Sequence, residues 1–137
     1  MLPGSTFFRM VRALTNQAMI DELQHGRLAM VVEAVHDAKA RGDVTINDIA
    51  NELGIDQSGA SRLVSQAIAA GYIQRTRAER DGRARQCRLT PEGEELLAAA
   101  WKWQEDVFNR LTVGWSEEEK RTFVEMMGRI TLAARAD

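Results

Sequence analysis

Arginine is concentrated in one short stretch of the sequence, RTRAERDGRARQCR, which holds six arginines between Arg75 and Arg88. From Gln57 to Thr90, seven arginines accompany two acidic residues and give a net charge of +5, whereas the whole chain carries -2 and the remainder therefore -7. A cationic region on an otherwise acidic protein steers polyanions to one face, and guanidinium groups bind phosphates and guanine edges. The stretch indicates a nucleic-acid contact, with a solvated charged hairpin as the simpler alternative.

Polar side chains also recur along one side of the helix predicted just before this stretch. Asp56 suits the N-cap position. Apolar residues recur at the spacing of a buried helix face, at Ala60, Leu63, Val64, Ala67 and Ile68. The opposite side carries Gln57, Ser58, Ser61, Arg62, Ser65 and Gln66. Gln pairs with adenine edges, Arg with guanine edges and Ser with bases or phosphates, so we expect this face to position and to read DNA.

The elements that position these residues follow a helix-turn-helix and hairpin order. Thr45 and Asp48 form a capping-box pattern that begins a short helix ending at Gly54, and Gly71 ends the next helix. YIQRTRAE and RARQCRLT have strand composition and flank the turn sequence RDG. A helix-turn-helix with a following hairpin is a winged helix, which places the arginine cluster on the wing. We assign this core to residues 43–90.

Further helices are predicted on both sides of this core. Two amphipathic helices open the chain, and a long helix begins at Thr90 and Pro91. Its apolar stripes are Leu96, Ala100, Trp103 and Val107 on one side and Leu97, Trp101, Phe108 and Leu111 on the other. Because two stripes need two partners, we expect a homodimer. Ser116 and Glu119 form the capping-box pattern of a final helix.

The predicted fold class is therefore mostly α with a small β-hairpin wing. The 137 residues, 45% of them hydrophobic and 28% charged, suit one domain over 1–137. Dimerisation helices are predicted at 1–24 and 91–137, on either side of the winged core.

Two segments carry a family resemblance. DIANELGIDQSGASRLVSQAIAAGYIQR and DGRARQCRLTPEG resemble the MarR family of bacterial transcription regulators, whose wing shows D-x-R, five residues, then L-T-x-x-G. The matching residues here are Asp81, Arg83, Leu89, Thr90 and Gly93. The resemblance implies a homodimeric regulator, in the first instance a repressor, that binds a palindromic operator in double-stranded DNA. It also implies that small aromatic or phenolic effectors release the DNA.

The resemblance assigns roles within the wing and to the effector site. Asp81 is expected to orient Arg83 while the wing approaches the minor groove, and Arg80 and Arg85 are expected to serve phosphates. Arg75, Arg77 and Arg88 are expected to be either solvated or paired with acidic residues of neighbouring helices. An effector pocket is predicted between the helix-turn-helix and the dimerising helices, lined by Trp101 or Trp103; the alternative is that both tryptophans belong to the core.

Other chemistry has weak support in the sequence. His25 and His36 lie about 16 Å apart along one helix, too far to share a metal. The single cysteine, Cys87, shares strand parity with Leu89, which indicates an inward-facing side chain and not a reactive thiolate. P-loop, nucleophile-elbow, zincin and Cys-x-x-Cys motifs are missing, so we predict no enzyme, no metal and no cofactor. With no apolar run long enough to span a membrane and no signal-peptide pattern, we expect a cytoplasmic location.

A second class of function has the same fold. A winged helix can serve protein assembly without specific DNA binding. Such a module should expose apolar residues on the helix that follows the turn, whereas Gln57, Ser58, Ser61 and Gln66 are polar. The pattern therefore favours DNA binding.

Overall fold

A computed structural model describes residues 1–16, 26–77 and 85–136, the side chains of Arg77 and Arg85 excepted. These residues form six helices and one two-stranded sheet. The elements are α1 (Pro3–Leu14), α2 (Arg27–Lys39), α3 (Ile46–Leu53), α4 (Gln57–Ala69), β1 (Ile73–Arg77), β2 (Arg85–Leu89), α5 (Pro91–Leu111) and α6 (Glu117–Ala136). The predicted fold class is confirmed.

The chain divides into two compact units, Met1–Ala100 and Trp101–Asp137, with the boundary inside α5. The first unit holds α1 to α4, the hairpin and the start of α5. The assignment of 43–90 to the winged core and of the flanking segments to dimerisation stays a prediction.

Capping side chains define the ends of α3 and α4. The Thr45 hydroxyl accepts a hydrogen bond from the Asp48 N–H (3.2 Å), while the Asp48 carboxylate accepts one from the Thr45 N–H (2.9 Å). α3 stops at Gly54, whose φ of 67° is left-handed. Asp56 then caps α4 by accepting a hydrogen bond from the Gly59 N–H (3.0 Å). Both predicted caps are confirmed, and each contributes about 1 kcal/mol to stability.

The apolar faces of α2, α3 and α4 share one core in the first unit. Its fully buried side chains include Val31, Val32, Val35, Ile49, Val64 and Leu97. Removing one such side chain from water contributes roughly 1.5–3 kcal/mol. This burial on one side of α4 holds the opposite, polar side outward.

The hairpin is antiparallel, with pairs running from Ile73 and Leu89 at its base to Arg77 and Arg85. The outer edge of β2 is paired as well, since the N–H of Cys87 donates to the carbonyl of Val44 (2.7 Å). Val44 belongs to the connector between α2 and α3. The hairpin is therefore attached to the helical core through backbone as well as side chains.

In the second unit, α6 begins at the capping box predicted for Ser116 and Glu119. The Ser116 N–H donates to the Glu119 carboxylate (2.9 Å), and the Glu119 N–H donates to the Ser116 hydroxyl (3.1 Å). Trp115 packs edge-on against Phe123, with ring centroids 5.2 Å apart. None of the described helices is long and apolar enough to cross a membrane.

Candidate nucleic-acid interface

α4 presents the predicted polar face to solvent. Gln57, Ser58, Arg62, Ser65 and Gln66 are exposed and Ser61 is half-buried, whereas Ala60, Val64 and Ala67 on the other side are fully buried. The structure thus brings all six predicted α4 residues onto one surface. Amide, hydroxyl and guanidinium groups in this arrangement offer both donors and acceptors to base edges.

Gly59 lies in the first turn of α4, next to its cap. A Cβ added there would stand 2.7 Å from the Asp56 Oδ1 atom that caps the helix and 3.7 Å from the end of the Ile55 side chain. The glycine therefore suits close packing of the cap. A larger residue requires the Asp56 carboxylate to shift.

The structure places part of the predicted wing set. Arg85 lies in β2 opposite Arg77 of β1, at the distal end of the described hairpin. Arg80, Asp81 and Arg83 fall outside the described residues. Their roles stay predictions.

The basic residues nearer the base of the hairpin differ from one another. Arg75 is exposed and pairs across the sheet with Cys87. Arg88 is exposed but bonded, because its guanidinium donates to the Gln86 amide oxygen from Nε (2.8 Å) and Nη2 (2.9 Å). Arg88 therefore matches neither alternative fully, because its partner is an amide of its own strand and not an acidic residue of a neighbouring helix.

Gln86 connects Arg88 to the connector between α2 and α3. Its side chain is buried, and its Nε2 donates to the Asp43 carboxylate (2.6 Å) while its Oε1 accepts from Arg88. The amide adopts this orientation because the opposite one would set oxygen against a carboxylate and nitrogen against a guanidinium. Sequence reasoning missed this cluster, since strand alternation places Gln86 on the face opposite buried Cys87.

The L-T-x-x-G motif bonds the start of α5 to the turn that follows α4. The Thr90 hydroxyl donates to the Gly71 carbonyl (2.6 Å) and accepts from the Gly93 N–H (3.0 Å), so it caps α5 and ties it to the preceding turn. The Thr90 N–H donates to the Tyr72 carbonyl (3.1 Å). These bonds fix where the hairpin leaves and rejoins the helices.

Cys87 is an interior residue of the hairpin, as predicted. It is 3% exposed and lies in the apolar core cluster. Burial raises the pKa of its thiol, and the neighbouring positive charge of Arg75 lowers it by a smaller amount. A neutral, protected thiol is what this environment favours.

The predicted effector residues lie in the second unit. Trp101 and Trp103 on α5 are 41% and 36% exposed, so neither is a buried core residue of this chain. A groove of about 860 Å³ in the first unit has a different lining, with His36 of α2 and Cys87 and Arg88 of β2 among its walls. Within the described ranges, no group of three or more His, Cys, Asp or Glu side chains is arranged to hold a metal ion.

Known proteins are similar to part of this chain in sequence and to most of it in fold. Residues 29–84 match the model of the MarR family. The HTH-type transcriptional regulator BilQ of Clostridioides difficile (strain CD3) is 36% identical over 53 residues, which are 39% of this chain and 36% of that protein. The chain thus matches about a third of the length of this curated relative.

Two solved structures superpose along most of the chain. An S. aureus MepR-DNA complex does so with a TM-score of 0.69 at 21% identity, over 97% of this chain and 99% of that one. A MarR family transcriptional regulator from Silicibacter pomeroyi DSS does so with a TM-score of 0.65 at 24% identity, over 95% and 85%. At these identities the likeness shows the fold.

An outward polar helix after a tight turn, followed by a hairpin attached to its base, defines a winged helix-turn-helix protein. The family match over residues 29–84 makes the assignment narrower. Over residues 29–84 the chain is similar to the MarR family, and the resemblance indicated by its sequence is confirmed.

Proposed function

We propose that this protein is a transcriptional regulator that binds double-stranded DNA through α4 and the wing. The observation that carries the proposal is the polar face of α4, which stands in solvent because its reverse face is fully buried. The adjoining hairpin supplies most of the +5 charge of this region. Arrangements of this kind set a recognition helix in the major groove and cationic side chains near phosphates.

In this proposal the residues divide by position. Gln57, Ser58, Ser61 and Arg62, near the N-terminal end of α4, meet base edges, because recognition helices enter the groove with that end foremost. Ser65 and Gln66 lie one or two turns further along and serve bases or backbone. Arg80, Arg83 and Arg85 of the wing meet the minor groove and phosphates, with Asp81 orienting Arg83.

The active form in this proposal is a homodimer. α1 exposes Phe8, which is 61% accessible, and its other apolar side chains are exposed as well. α6 exposes Val124, Ile130 and Leu132 at 52%, 49% and 71%. Apolar helix faces left in water by a single chain are typical of subunit contacts. A two-fold dimer presents two recognition helices about 34 Å apart, which requires a palindromic operator.

The finer parts of the proposal concern regulation. We assign the protein a repressor role in the cytoplasm, with release of DNA by a small aromatic or phenolic effector that contacts Trp101 or Trp103. An effector changes affinity only if it binds one arrangement of the dimer better than another. Titration with hydroxybenzoic acids tests this part. Quenching of tryptophan fluorescence together with weaker DNA binding supports it. The absence of both effects overturns it.

Selection of bound fragments from random duplex DNA tests the function itself. We expect enrichment of an inverted repeat whose half-sites are about one helical turn apart. Sedimentation should give twice the chain mass of 15.3 kDa. A pool that stays random after repeated selection overturns the proposal and leaves the protein-assembly function as the alternative for this fold.

A further inference from the structure

We propose that Gln86 is the residue that positions the wing, and that it does so by holding Asp43 and Arg88 with one side-chain amide. The effect on DNA rests on the proposed function. Gln86 is only 7% exposed although its two partners are exposed, so a buried group links two surface charges. None of the three residues belongs to the set proposed to touch DNA.

A single neutral amide satisfies both charged partners at once. Nε2 donates to the acceptor carboxylate of Asp43, and Oε1 accepts two hydrogen bonds from the guanidinium of Arg88. Glutamate at this position would keep the bonds to Arg88 but set a second carboxylate against Asp43. An apolar residue would remove both links, and the exposed Asp43 and Arg88 would bond to water and no longer be connected.

The connector that carries Asp43 is itself fixed to the helical core. Arg41 forms an ion pair with Glu52 of α3, whose side chain is 7% exposed, and this pairing raises the pKa of Arg41. Val44 accepts the backbone hydrogen bond of Cys87. The connector is thus held on the α3 side by Arg41 and on the hairpin side by Val44, which makes Asp43 a defined anchor.

The consequence for the wing follows from chain continuity. Gln86 is adjacent to Arg85, the first residue of β2, so the placement of Gln86 fixes the start of this strand. In the proposal, this start determines how the wing arginines that precede it are offered to DNA. Arg88 has two donor atoms engaged by Gln86, so in this proposal its role is to hold the hairpin. The cluster therefore acts on DNA affinity through the position of other arginines.

An exchange of groups across the cluster tests the inference. Gln86→Glu should weaken binding of the selected duplex about ten-fold, because two carboxylates then face each other. Asp43→Asn alone should change binding less than about two-fold, since an amide at 43 can still accept from Gln86. In the double variant, Asn at 43 donates to Glu at 86, and affinity should return to within about two-fold of the parent.

A charge-matched pair separates this geometry from net charge. Gln74 is exposed on β1 and pairs across the sheet with Arg88, so Gln74→Glu adds the same charge to the same hairpin beside Arg88, at a position that does not bond to Asp43. Added to Gln74→Glu, Asp43→Asn should raise DNA affinity by less than about two-fold, which is the effect of the change in net charge alone. Added to Gln86→Glu, the same substitution should recover most of the lost affinity. Equal recovery of both glutamate variants by Asp43→Asn would overturn the inference, because net charge alone then explains the loss.

The amide spectrum of the protein without DNA provides a second readout. The Cys87 and Val44 signals should move in Gln86→Glu and return in the double variant, while Gln74→Glu should leave the Val44 signal in place. Unmoved signals in Gln86→Glu would overturn the inference even if DNA binding falls. A parent protein that binds no duplex would overturn the proposed function, and these signals would still decide whether Gln86 holds the hairpin.

Discussion

The carbonyl oxygen of Tyr72, just after the turn that follows α4, lies close to Gly93 in the first turn of α5. A Cβ on Gly93 would come well within 3.0 Å of this oxygen. The carbonyl carbon would be 3.1 Å away. The Thr90 hydroxyl donates to the Gly71 carbonyl and accepts from the Gly93 N–H, so it bonds to the residue before Tyr72 and to Gly93 itself. Gly93 is therefore required by close backbone packing, since its φ is not in the left-handed region.

Replacing Gly93 should destabilise the winged core. Gly93→Ala should lower the free energy of unfolding by roughly 1–3 kcal/mol, because backbone atoms must move to admit the methyl group. Urea denaturation measures the change. Gly128 in α6 is a matched control, as a Cβ there meets nothing within 4 Å, and Gly128→Ala should raise stability by roughly 0.5–1 kcal/mol through helix propensity. Similar effects of the two substitutions would contradict the packing argument.

Cys87 should react slowly in the folded protein. Its burial and raised pKa keep the thiol neutral and out of reach at pH 7, despite the opposing influence of Arg75. We expect a disulfide reagent to modify the native protein at least roughly ten-fold more slowly than the urea-unfolded chain. A native rate equal to the unfolded rate would place the thiol at the surface and remove Cys87 from the core.

The capping box of α6 should respond to acid. Hydrogen bonds from the backbone N–H and hydroxyl of Ser116 hold the pKa of Glu119 below its ordinary value. A depressed carboxylate pKa stabilises the folded state above the pKa of the unfolded chain, and this contribution is lost as pH falls through the folded pKa. In a carboxyl-carbon titration of the folded protein, Glu119 should therefore protonate at lower pH than it does in the urea-unfolded chain. The same midpoint for Glu119 in the folded and unfolded states would show that the cap is absent in solution.

Local sequence patterns predict part of this structure. The rest depends on long-range contacts that leave no local signal in the sequence. The caps at Thr45, Asp56 and Ser116 were predictable because each joins residues three positions apart. The outward face of α4 followed from its 3.6-residue period for the same reason.

The partners of Gln86 and Gly93 have no local signal. Asp43 and Tyr72 reach them only after the chain has folded back, and alternation along β2 predicts an exposed Gln86. Its burial depends on side chains from two separate segments. The exposure of Trp101 and Trp103 was likewise not readable, because both lie on apolar stripes whose partners the sequence does not identify.

The salt dependence of duplex binding by Arg62→Ala tests the central claim most directly, that the polar face of α4 reads DNA. Fluorescence anisotropy with the selected operator and with one substituted half-site, at several salt concentrations, gives affinity and discrimination together. Arg121→Ala, which removes the same charge from an exposed position on α6, is the matched control. If Arg62 reads guanine, Arg62→Ala should lower the binding free energy by roughly 1–3 kcal/mol and reduce discrimination between the two duplexes. If Arg62 meets phosphate, the substitution should lower the slope of affinity against salt concentration by about one. Arg121→Ala should change neither the discrimination nor the salt slope. Binding by Arg62→Ala that equals the parent's at every salt concentration would contradict the account.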